Sequence, residues 1–352
     1  MNRSLLITGT LASCAYVILA ASLAMGQSAL TQDRIVSAVP DFNSQINSET
    51  GSEPQSSDAD TEKSVTDGPS ALVARVQIAL DRAGFSVGVI DGFSGDNYER
   101  ALAAFQSVNS LELTGKLTPQ TWDMLEVNFG GNVIKQYAIT AEDLAGSFIA
   151  EVPTDYAMMA QLSAVSYTSA REMLAERFHM DEDFLIALNP DATFATEGEM
   201  LIVADPMRPI EEASVARIII NGEYGRLHAY DKDGFLVADY PASVGSDATP
   251  SPSGTHEVRA VAVNPTYTYN PKVNFTQGDN KEVLTIPPGP NGPVGNIWID
   301  LTKPTYGIHG TPNPSTIAKT QSHGCVRLTN WDAAELAKLV SPGTIVEFEP
   351  SS

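Results

Sequence analysis

The sequence predicts a multidomain protein with a small three-helix module, an αβ region and a mainly-β domain that contains one late helix. Three observations support this fold class. Apolar residues recur at helical spacing between Leu72 and Leu125, helix and strand patterns mix between Tyr167 and Val203, and short β runs follow from Val215 onward. At 352 residues the chain is long enough for two or three domains, each with its own core.

The composition excludes several classes of protein. The chain carries 43 acidic and 21 basic residues, a net charge of -22, so it lacks the clustered Lys and Arg that hold nucleic-acid phosphates. Its 43% hydrophobic and 18% charged residues are typical of a globular chain. With only two cysteines, Cys14 and Cys325, a disulfide framework is excluded.

The N-terminal segment, residues 1–26, predicts export. Arg3 precedes a long apolar run, and Ala24 and Gly26 fit the small-residue rule for removal of a signal peptide. An uncleaved membrane anchor ranks second because the run is long enough to span a bilayer, and a lipoprotein signal ending at Cys14 ranks third. The body of the chain is therefore expected outside the cytoplasm, attached to the membrane only if this segment stays uncleaved.

Residues 27–70 and residues 71–130 differ in composition and are assigned different structures. The first segment is rich in Ser, Asp, Glu, Gln and Asn, and it buries too little apolar surface to offset its ordering entropy, which predicts a disordered linker. The second contains three apolar patterns at helical spacing, which predict three short helices. It resembles the three-helix peptidoglycan-binding module of cell-wall enzymes in Ile90-Asp91-Gly92-Phe93-Ser94-Gly95, Ala101, Phe105-Gln106, Leu113-Thr114-Gly115 and Thr121-Trp122. The alternative is a helical spacer whose aromatic residues only fill its core.

Residues 131–210 predict an αβ region with the order strand, helix, helix, strand. The elements are expected at residues 167–169, 170–178, 181–189 and 199–203. This order resembles a LysM-type glycan-binding motif. Ser169 and Ala170 stand where that motif usually has Gly and Asp, so a purely structural αβ insert is an equal alternative.

Residues 211–350 predict the mainly-β domain. Short apolar runs bounded by turn pairs such as Asn221-Gly222 indicate a sandwich or a barrel. The runs cover residues 216–221, 226–230, 235–240, 256–263, 297–301 and 344–349. One helix is predicted over residues 330–340, with Asn330 or Asp332 near its N-cap.

The chemically informative residues of this domain are His309, His323 and Cys325. A thiol attacks as the thiolate, so its pKa must be lowered by a neighbouring base or a positive dipole. His309 is too distant in sequence to be a helical neighbour of Cys325, so a loop or two strand ends must join them. His323 and Arg327 lie two positions from Cys325 and would share its side of a strand. Gly324 would let backbone N–H groups approach an oxyanion.

These residues allow two other interpretations. A lone cysteine is more often a small buried hydrophobic residue than a nucleophile. The two histidines and the cysteine could instead bind zinc, but the spacing of a Cys2His2 site is absent and a fourth ligand is lacking. The expectation is therefore a site without metal and without a cofactor.

The same stretch resembles the active-site signature of the L,D-transpeptidase catalytic domain, also called the YkuD domain. The matching residues are His309-Gly310-Thr311, Ser322-His323-Gly324-Cys325-Val326-Arg327-Leu328 and, upstream, Tyr306-Gly307-Ile308. Two positions depart from the pattern. Val294 replaces the usual Leu before Gly295, and Ala318 stands where glycine is common.

The resemblance implies a cysteine acyltransferase that acts on peptidoglycan. Cys325 would attack the carbonyl of the third residue of a tetrapeptide stem, release the terminal D-alanine and form a thioester, which an amine of a neighbouring stem resolves into a cross-link. His309 would transfer the proton, and His323 would steady the pair. The contacts to substrate or oxyanion are assigned to Gly324, Arg327, Ser322 and Tyr306.

The expected partners are peptidoglycan stem peptides and glycan, with a wall-anchored protein as another acceptor. Such an enzyme would serve cell-wall biogenesis and cell shape. Two alternatives stay open: an L,D-carboxypeptidase or endopeptidase, in which water resolves the thioester, and a non-catalytic cell-wall-binding protein. The N-terminal modules would act as wall tethers, so a chain without residues 71–205 should still act on small soluble stems.

Overall fold

The computed structural model describes residues 30–42, 68–206, 208, 210, 213–245, 249–322 and 324–349. The predicted signal segment with Cys14, much of the predicted linker, and His323 therefore lie outside the described residues. Within the described part of the chain, no helix is both long and apolar enough to cross a bilayer.

The N-terminal part of the structure is helical, as the sequence predicts. It contains helices α1 (Gln32–Val36), α2 (Ala71–Arg82), α3 (Asp96–Val108) and α4 (Pro119–Phe129). The side chains of Ser70 and Thr118 accept hydrogen bonds from backbone amides in the first turns of α2 and α4 and so cap them. The apolar pattern meets in one core, where Leu80, Leu102 and Leu125 are buried.

Helix α1 corrects the prediction that residues 27–70 are linker throughout. Thr31 caps this helix, and Ile35 is completely buried in the core that α2 to α4 share. A guanidinium nitrogen of Arg75 donates to the Ile35 carbonyl at 3.5 Å. The polar composition around Ile35 gives no local sign that this side chain is buried. Its partner Arg75 lies 40 residues further along the chain.

The αβ region is closed by two paired strands. Strand β1 (Ile134–Ala138) pairs antiparallel with β2 (Met200–Ala204), and between them lie α5 (Ala141–Leu144), α6 (Tyr156–Met159), α7 (Ala170–Arg177) and α8 (Glu182–Leu188). The two long helices and the last strand form where predicted. The strand predicted at residues 167–169 is wrong, because Ser169 is the N-cap of α7 and its side chain accepts from the Glu172 amide.

The C-terminal part is mainly β, as predicted, and is built within the described ranges on one eight-stranded sheet. Its strands are β3 (Arg217–Asn221), β4 (Arg226–Tyr230), β5 (Leu236–Pro241), β6 (Gly254–Val263), β9 (Ile297–Leu301), β10 (Gly307–His309), β11 (Val326–Arg327) and β12 (Ile345–Phe348). The spatial order is β11-β10-β9-β6-β12-β3-β4-β5. A separate hairpin, β7 (Tyr267–Tyr269) with β8 (Leu284–Ile286), projects between β6 and β9 in the chain.

The large sheet curls until its two edges meet. Beyond β5 the chain reaches β11, where Ser243 and Arg327 exchange two backbone hydrogen bonds of 2.9 Å. The Ser322 amide donates to the Val244 carbonyl at 2.7 Å and extends this contact. Of the two predicted arrangements, the structure therefore matches the barrel-like one.

Helix α9 (Asn330–Leu339) packs against the strands that carry the candidate site. Its N-cap is Thr329, whose hydroxyl accepts from the Asp332 amide at 3.1 Å, one residue before the earliest predicted cap position. Leu336 of this helix joins Ile299 of β9 and Ile308 of β10 in the buried core. The helix thus supports β9 and β10 from behind.

The three regions are in direct contact. The helical module extends the edge of β5, since the Asp239 amide donates to the Gly84 carbonyl and the Ser86 amide to the Asp239 carbonyl, both at 2.8 Å. The αβ region contacts the loop after β8, where Val165 and Asn291 share a backbone hydrogen bond of 3.0 Å. This contact brings one side of the αβ region next to the curled sheet.

Candidate active site

The parallel pairing of β10 with β11 brings His309 and Cys325 together. Ile308 lies opposite Val326 and His309 opposite Arg327. Because alternate residues of a strand share a face, His309, Cys325 and Arg327 point to one side, while Ile308 and Val326 are buried on the other. These three side chains line one cavity of about 960 Å³. The sequence left two arrangements open, a loop or a pair of strand ends, and the structure has the pair of strand ends.

The imidazole of His309 is held in one tautomer. Its Nδ1 lies 2.6 Å from the Gly310 carbonyl oxygen, and because a carbonyl can only accept, Nδ1 carries the proton. Burial lowers the pKa of His309 to about 4, and the positive charge of Arg327 adds to this effect. A neutral ring with its lone pair on Nε2 is therefore the resting state at neutral pH, as a general base requires.

The thiol of Cys325 rests in its protonated form. Burial raises its pKa, and a hydrogen bond from the Gly307 backbone amide opposes that rise. The thiol lies 3.8 Å from the Thr305 carbonyl oxygen. The sequence predicts a lowered thiol pKa, whereas burial of this half-exposed side chain raises it. A nucleophilic role would therefore require the thiol to lose its proton as it attacks.

Ser322 and Gly324 shape the loop that leads into Cys325. The Ser322 hydroxyl donates to the Cys325 carbonyl and accepts from the Gly324 amide at 3.1 Å, so it braces the loop. Gly324 has φ +115°, and a Cβ there would lie 3.0 Å from the Tyr306 ring. Because the Gly324 amide is already bonded to Ser322, it is a poor candidate for an oxyanion donor.

Arg327 and Tyr306 both line the cavity. A terminal nitrogen of Arg327 donates to the Gln321 carbonyl at 2.6 Å and to the Thr320 hydroxyl at 3.2 Å, so the guanidinium ties down the same loop. Its Nε is buried and has no hydrogen-bond partner among the described residues.

Several cavity residues were missed by the sequence analysis. Trp298 of β9 lies opposite His309, and its indole stacks on the imidazole. Its place in an alternating apolar strand is the one sequence signal that could have indicated it. The remaining walls come from distant segments and could not be read from local patterns. They include Val152, Thr154, Tyr156, Met159 and Glu172 of the αβ region, and Tyr267, Val273, Asn274, Phe275 and Gln277 of the β7–β8 hairpin.

An edge-to-face aromatic cluster holds the hairpin against the αβ region. The ring of Tyr156 lies 5.9 Å from Tyr267, 5.4 Å from Tyr269 and 6.1 Å from Phe275. Gln277 of the hairpin also donates to the Thr154 carbonyl at 2.7 Å. One side of the cavity is therefore formed jointly by the β7–β8 hairpin and the αβ region. Among the described residues, no group of three or more His, Cys, Asp or Glu side chains is placed to hold a metal ion.

Comparison with known proteins identifies two matching domain families. The L,D-transpeptidase catalytic domain, YkuD, matches residues 216–348, and a peptidoglycan binding domain matches residues 69–125. A Bacillus licheniformis protein named as the L,D-transpeptidase YkuD is 33% identical over 181 residues, which cover 51% of this chain and 93% of that protein. An Escherichia coli K12 protein named as the L,D-transpeptidase YbiS is 29% identical over 185 residues, covering 51% of this chain and 60% of that protein.

Solved structures also resemble part of the chain. An L,D-transpeptidase from Mycobacterium smegmatis aligns with 44% of this chain and 64% of its own, at 20% sequence identity and a TM-score of 0.33.

Proposed function

Because the chain belongs to the L,D-transpeptidase family, we propose that it is a peptidoglycan L,D-transpeptidase with Cys325 as nucleophile and His309 as general base. The observation that carries the assignment of roles is the β10–β11 pairing, which directs both side chains into one cavity. The hydrogen bond from Nδ1 to Gly310 leaves Nε2 of His309 to accept the thiol proton.

The reaction consists of two acyl transfers. As the sulfur of Cys325 attacks the carbonyl of the third stem residue, its proton passes to Nε2 of His309. The C–S bond then forms, the C–N bond to the terminal D-alanine breaks, and the leaving amine takes the proton from His309. In the second half an acceptor amine attacks the thioester, the C–S bond breaks, and the sulfur regains a proton through His309.

The remaining site residues receive narrower roles. The Cys325 amide is proposed as the oxyanion donor, since the Gly324 amide is engaged by Ser322. Arg327 is proposed to orient a stem carboxylate by the positive charge of its guanidinium at the cavity wall, and Tyr306 to form a cavity wall. The supporting role of His323 rests on the family signature alone, because this residue lies outside the described residues.

The other regions are proposed to serve attachment to the wall. The helical module, matched by the peptidoglycan binding domain, would bind peptidoglycan. The LysM-like αβ region would contact glycan, and residues 1–26 would direct export to the periplasm or cell envelope. A wall-anchored protein is retained as a second class of acceptor. The proposed domain limits are residues 71–130 for the peptidoglycan-binding domain, 131–210 for the LysM-like region and 211–350 for the catalytic domain.

The test is to incubate the chain from residue 27 onward with a disaccharide tetrapeptide and to measure D-alanine release and dimers by mass spectrometry. The wild-type chain should give both products, and Cys325→Ala neither. Equal products from the two chains would refute the catalytic assignment. Release of D-alanine without dimers would favour the carboxypeptidase.

An independent test uses a carbapenem, because a strained amide should acylate an accessible nucleophilic thiol. The intact mass of the wild-type chain should increase by one adduct, and that of Cys325→Ala should stay constant. An unchanged mass of the folded wild-type chain would count against the proposed nucleophile.

A further inference from the structure

One wall of the active-site cavity belongs to the αβ region and is fixed to the catalytic sheet. The Val165 amide donates to the Pro288 carbonyl and the Asn291 amide to the Val165 carbonyl, both at 3.0 Å. The two segments are so close that a Cβ on Gly289 would lie 2.1 Å from the Val165 carbonyl oxygen. Such contact leaves no space for a side chain and fixes the position of the wall.

Glu172 is the charged residue of this wall. Among the described residues that line the cavity, it is the one carboxylate, and Arg327 is the one Lys or Arg. Asn291 donates to Oε1 of Glu172 at 2.7 Å, and the Thr168 amide donates to Oε2 at 2.6 Å, with the Thr168 hydroxyl on the same oxygen. These bonds fix the orientation of the carboxylate. Oε1 has accepted one hydrogen bond and retains a lone pair.

The loop that holds Glu172 leads to the part of the sheet next to His309. Asn291, which holds Glu172, belongs to the loop that runs to Gly295 and into β9. Gly295 packs so closely on Gly310, the residue after His309, that a Cβ there would lie 2.8 Å from the Gly310 carbonyl carbon. Glu172 and His309 both line the same cavity.

The two half-reactions place different demands on charge. The acceptor amine arrives as an ammonium ion, whereas the donor reacts at a neutral amide. A fixed carboxylate attracts the positively charged acceptor. It gives no comparable advantage to the neutral donor amide. The acceptor must lose one proton to water before it attacks the thioester. The second proton leaves for Nε2 of His309 as the C–N bond forms and the C–S bond breaks.

We propose that Glu172 binds the ammonium group of the acceptor, so that the αβ region supplies the acceptor side of the active site. This inference rests on the proposed transpeptidase function, and it assigns to the αβ region a role in selecting the nucleophile, beyond attachment to the wall.

The experiment compares the full wild-type chain with Glu172→Gln, which keeps the size of the side chain and a hydrogen-bond acceptor. The matched control is Glu182→Gln, which removes a carboxylate paired with Arg171 on the outer side of α8. Each chain receives the tetrapeptide donor with no added amine, with methylamine, which is cationic, or with hydroxylamine, which is neutral. D-Alanine release and the acyl-transfer products are measured.

Glu172→Gln should lower kcat/KM for methylamine and for stem cross-linking by about tenfold, the size of one charge-assisted contact. Release of D-alanine with donor alone and transfer to hydroxylamine should stay within about twofold of wild type. Glu182→Gln should match wild type in all assays.

Three results would overturn the inference: unchanged methylamine transfer in Glu172→Gln, an equal loss with hydroxylamine, or an equal loss in both half-reactions. If Glu172→Gln does not fold, the salt dependence of the wild-type kinetics still tests the inference. The preference for methylamine over hydroxylamine should fall with rising salt, and a constant preference would refute the carboxylate contact. Failure of the proposed function itself looks different, because the wild-type chain would then release no D-alanine.

Discussion

The indole of Trp298 and the imidazole of His309 stack with ring centroids 5.6 Å apart and planes 20° from parallel. The stack follows from strand register, since the two residues lie opposite each other in β9 and β10. It covers one face of the imidazole while the Gly310 carbonyl holds Nδ1 at the ring edge. Together these contacts fix the direction of Nε2.

Replacing Trp298 by alanine should therefore misplace the base. We expect D-alanine release to fall about ten- to a hundredfold, since small displacements of a catalytic group have effects of this size. Trp298→Phe keeps a ring in contact with His309 and should lose much less activity. The measurement is the initial rate of D-alanine release for both variants, with circular dichroism to confirm the fold. Equal rates for Trp298→Ala and wild type would contradict a positioning role.

The low pKa of His309 predicts that kcat/KM for D-alanine release stays high at more acidic pH than an ordinary histidine would allow. A general base works in its neutral form, which is populated above the pKa of about 4 that burial produces. The kcat/KM for the donor should then persist through the range in which an ordinary histidine becomes protonated, and it should fall only near pH 4. The measurement is the rate of D-alanine release against pH, with the fold monitored at each point. Half-maximal activity near the ordinary histidine pKa would show that the ring is not buried during turnover.

A substitution at Gly307 tests how closely this residue packs against Trp298. A Cβ at this position would lie 2.6 Å from the Trp298 ring, and the Gly307 amide bonds to the Cys325 thiol. Gly307→Ala should push the indole away from His309 and lower D-alanine release by at least about tenfold. Gly131→Ala is the matched control, because a Cβ there meets no heavy atom within 4 Å. A Gly307→Ala chain with wild-type activity would refute the tight approach.

The sequence predicted the elements whose residues carry local patterns. Helices α2 to α4 and strands β3 to β6, β9 and β12 follow from apolar spacing, whereas the short strands β10 and β11 at the site were not predicted. The choice of Cys325 with His309 follows from the family signature. Ile35 and Glu172 were not predicted in their places because their partners are distant in sequence. The raised pKa of the Cys325 thiol also escaped prediction, since it results from enclosure in the assembled fold.

The packing of the regions leads to a different expectation from the one drawn from the sequence. If the N-terminal modules were only tethers, a chain without residues 71–205 would act on small soluble stems. In the structure this deletion would remove the cavity wall with Tyr156 and Glu172 and the segment that extends the edge of β5.

We therefore expect the shortened chain to lose D-alanine release on soluble stems as well as binding to insoluble wall. The measurement pairs a wall pull-down with the activity assay, and circular dichroism reports the fold. Full activity of the shortened chain would support independent modules and contradict the shared cavity.

The boundary between the αβ region and helix α9 contains a buried acid. Glu176 of α7 accepts hydrogen bonds from Asn330 at 3.0 and 3.2 Å and from the Tyr167 hydroxyl at 3.1 Å. Burial nevertheless raises the pKa of Glu176 to about 7. The folded chain therefore holds this proton at pH values at which the unfolded chain has released it.

This difference predicts a fall in stability as the pH rises. A group with a raised pKa stabilises the fold fully below its ordinary pKa, and this contribution is lost as the pH rises through about 7. Glu176→Gln has no proton to lose, so the fall in unfolding free energy between about pH 5 and 7 should become shallower, by up to about 1.4 kcal/mol per pH unit. Urea unfolding across this range measures the slope, and Glu182→Gln should keep the wild-type slope. An unchanged slope in Glu176→Gln would show that Glu176 is already ionised in the fold, with Asn330 and Tyr167 offsetting its burial.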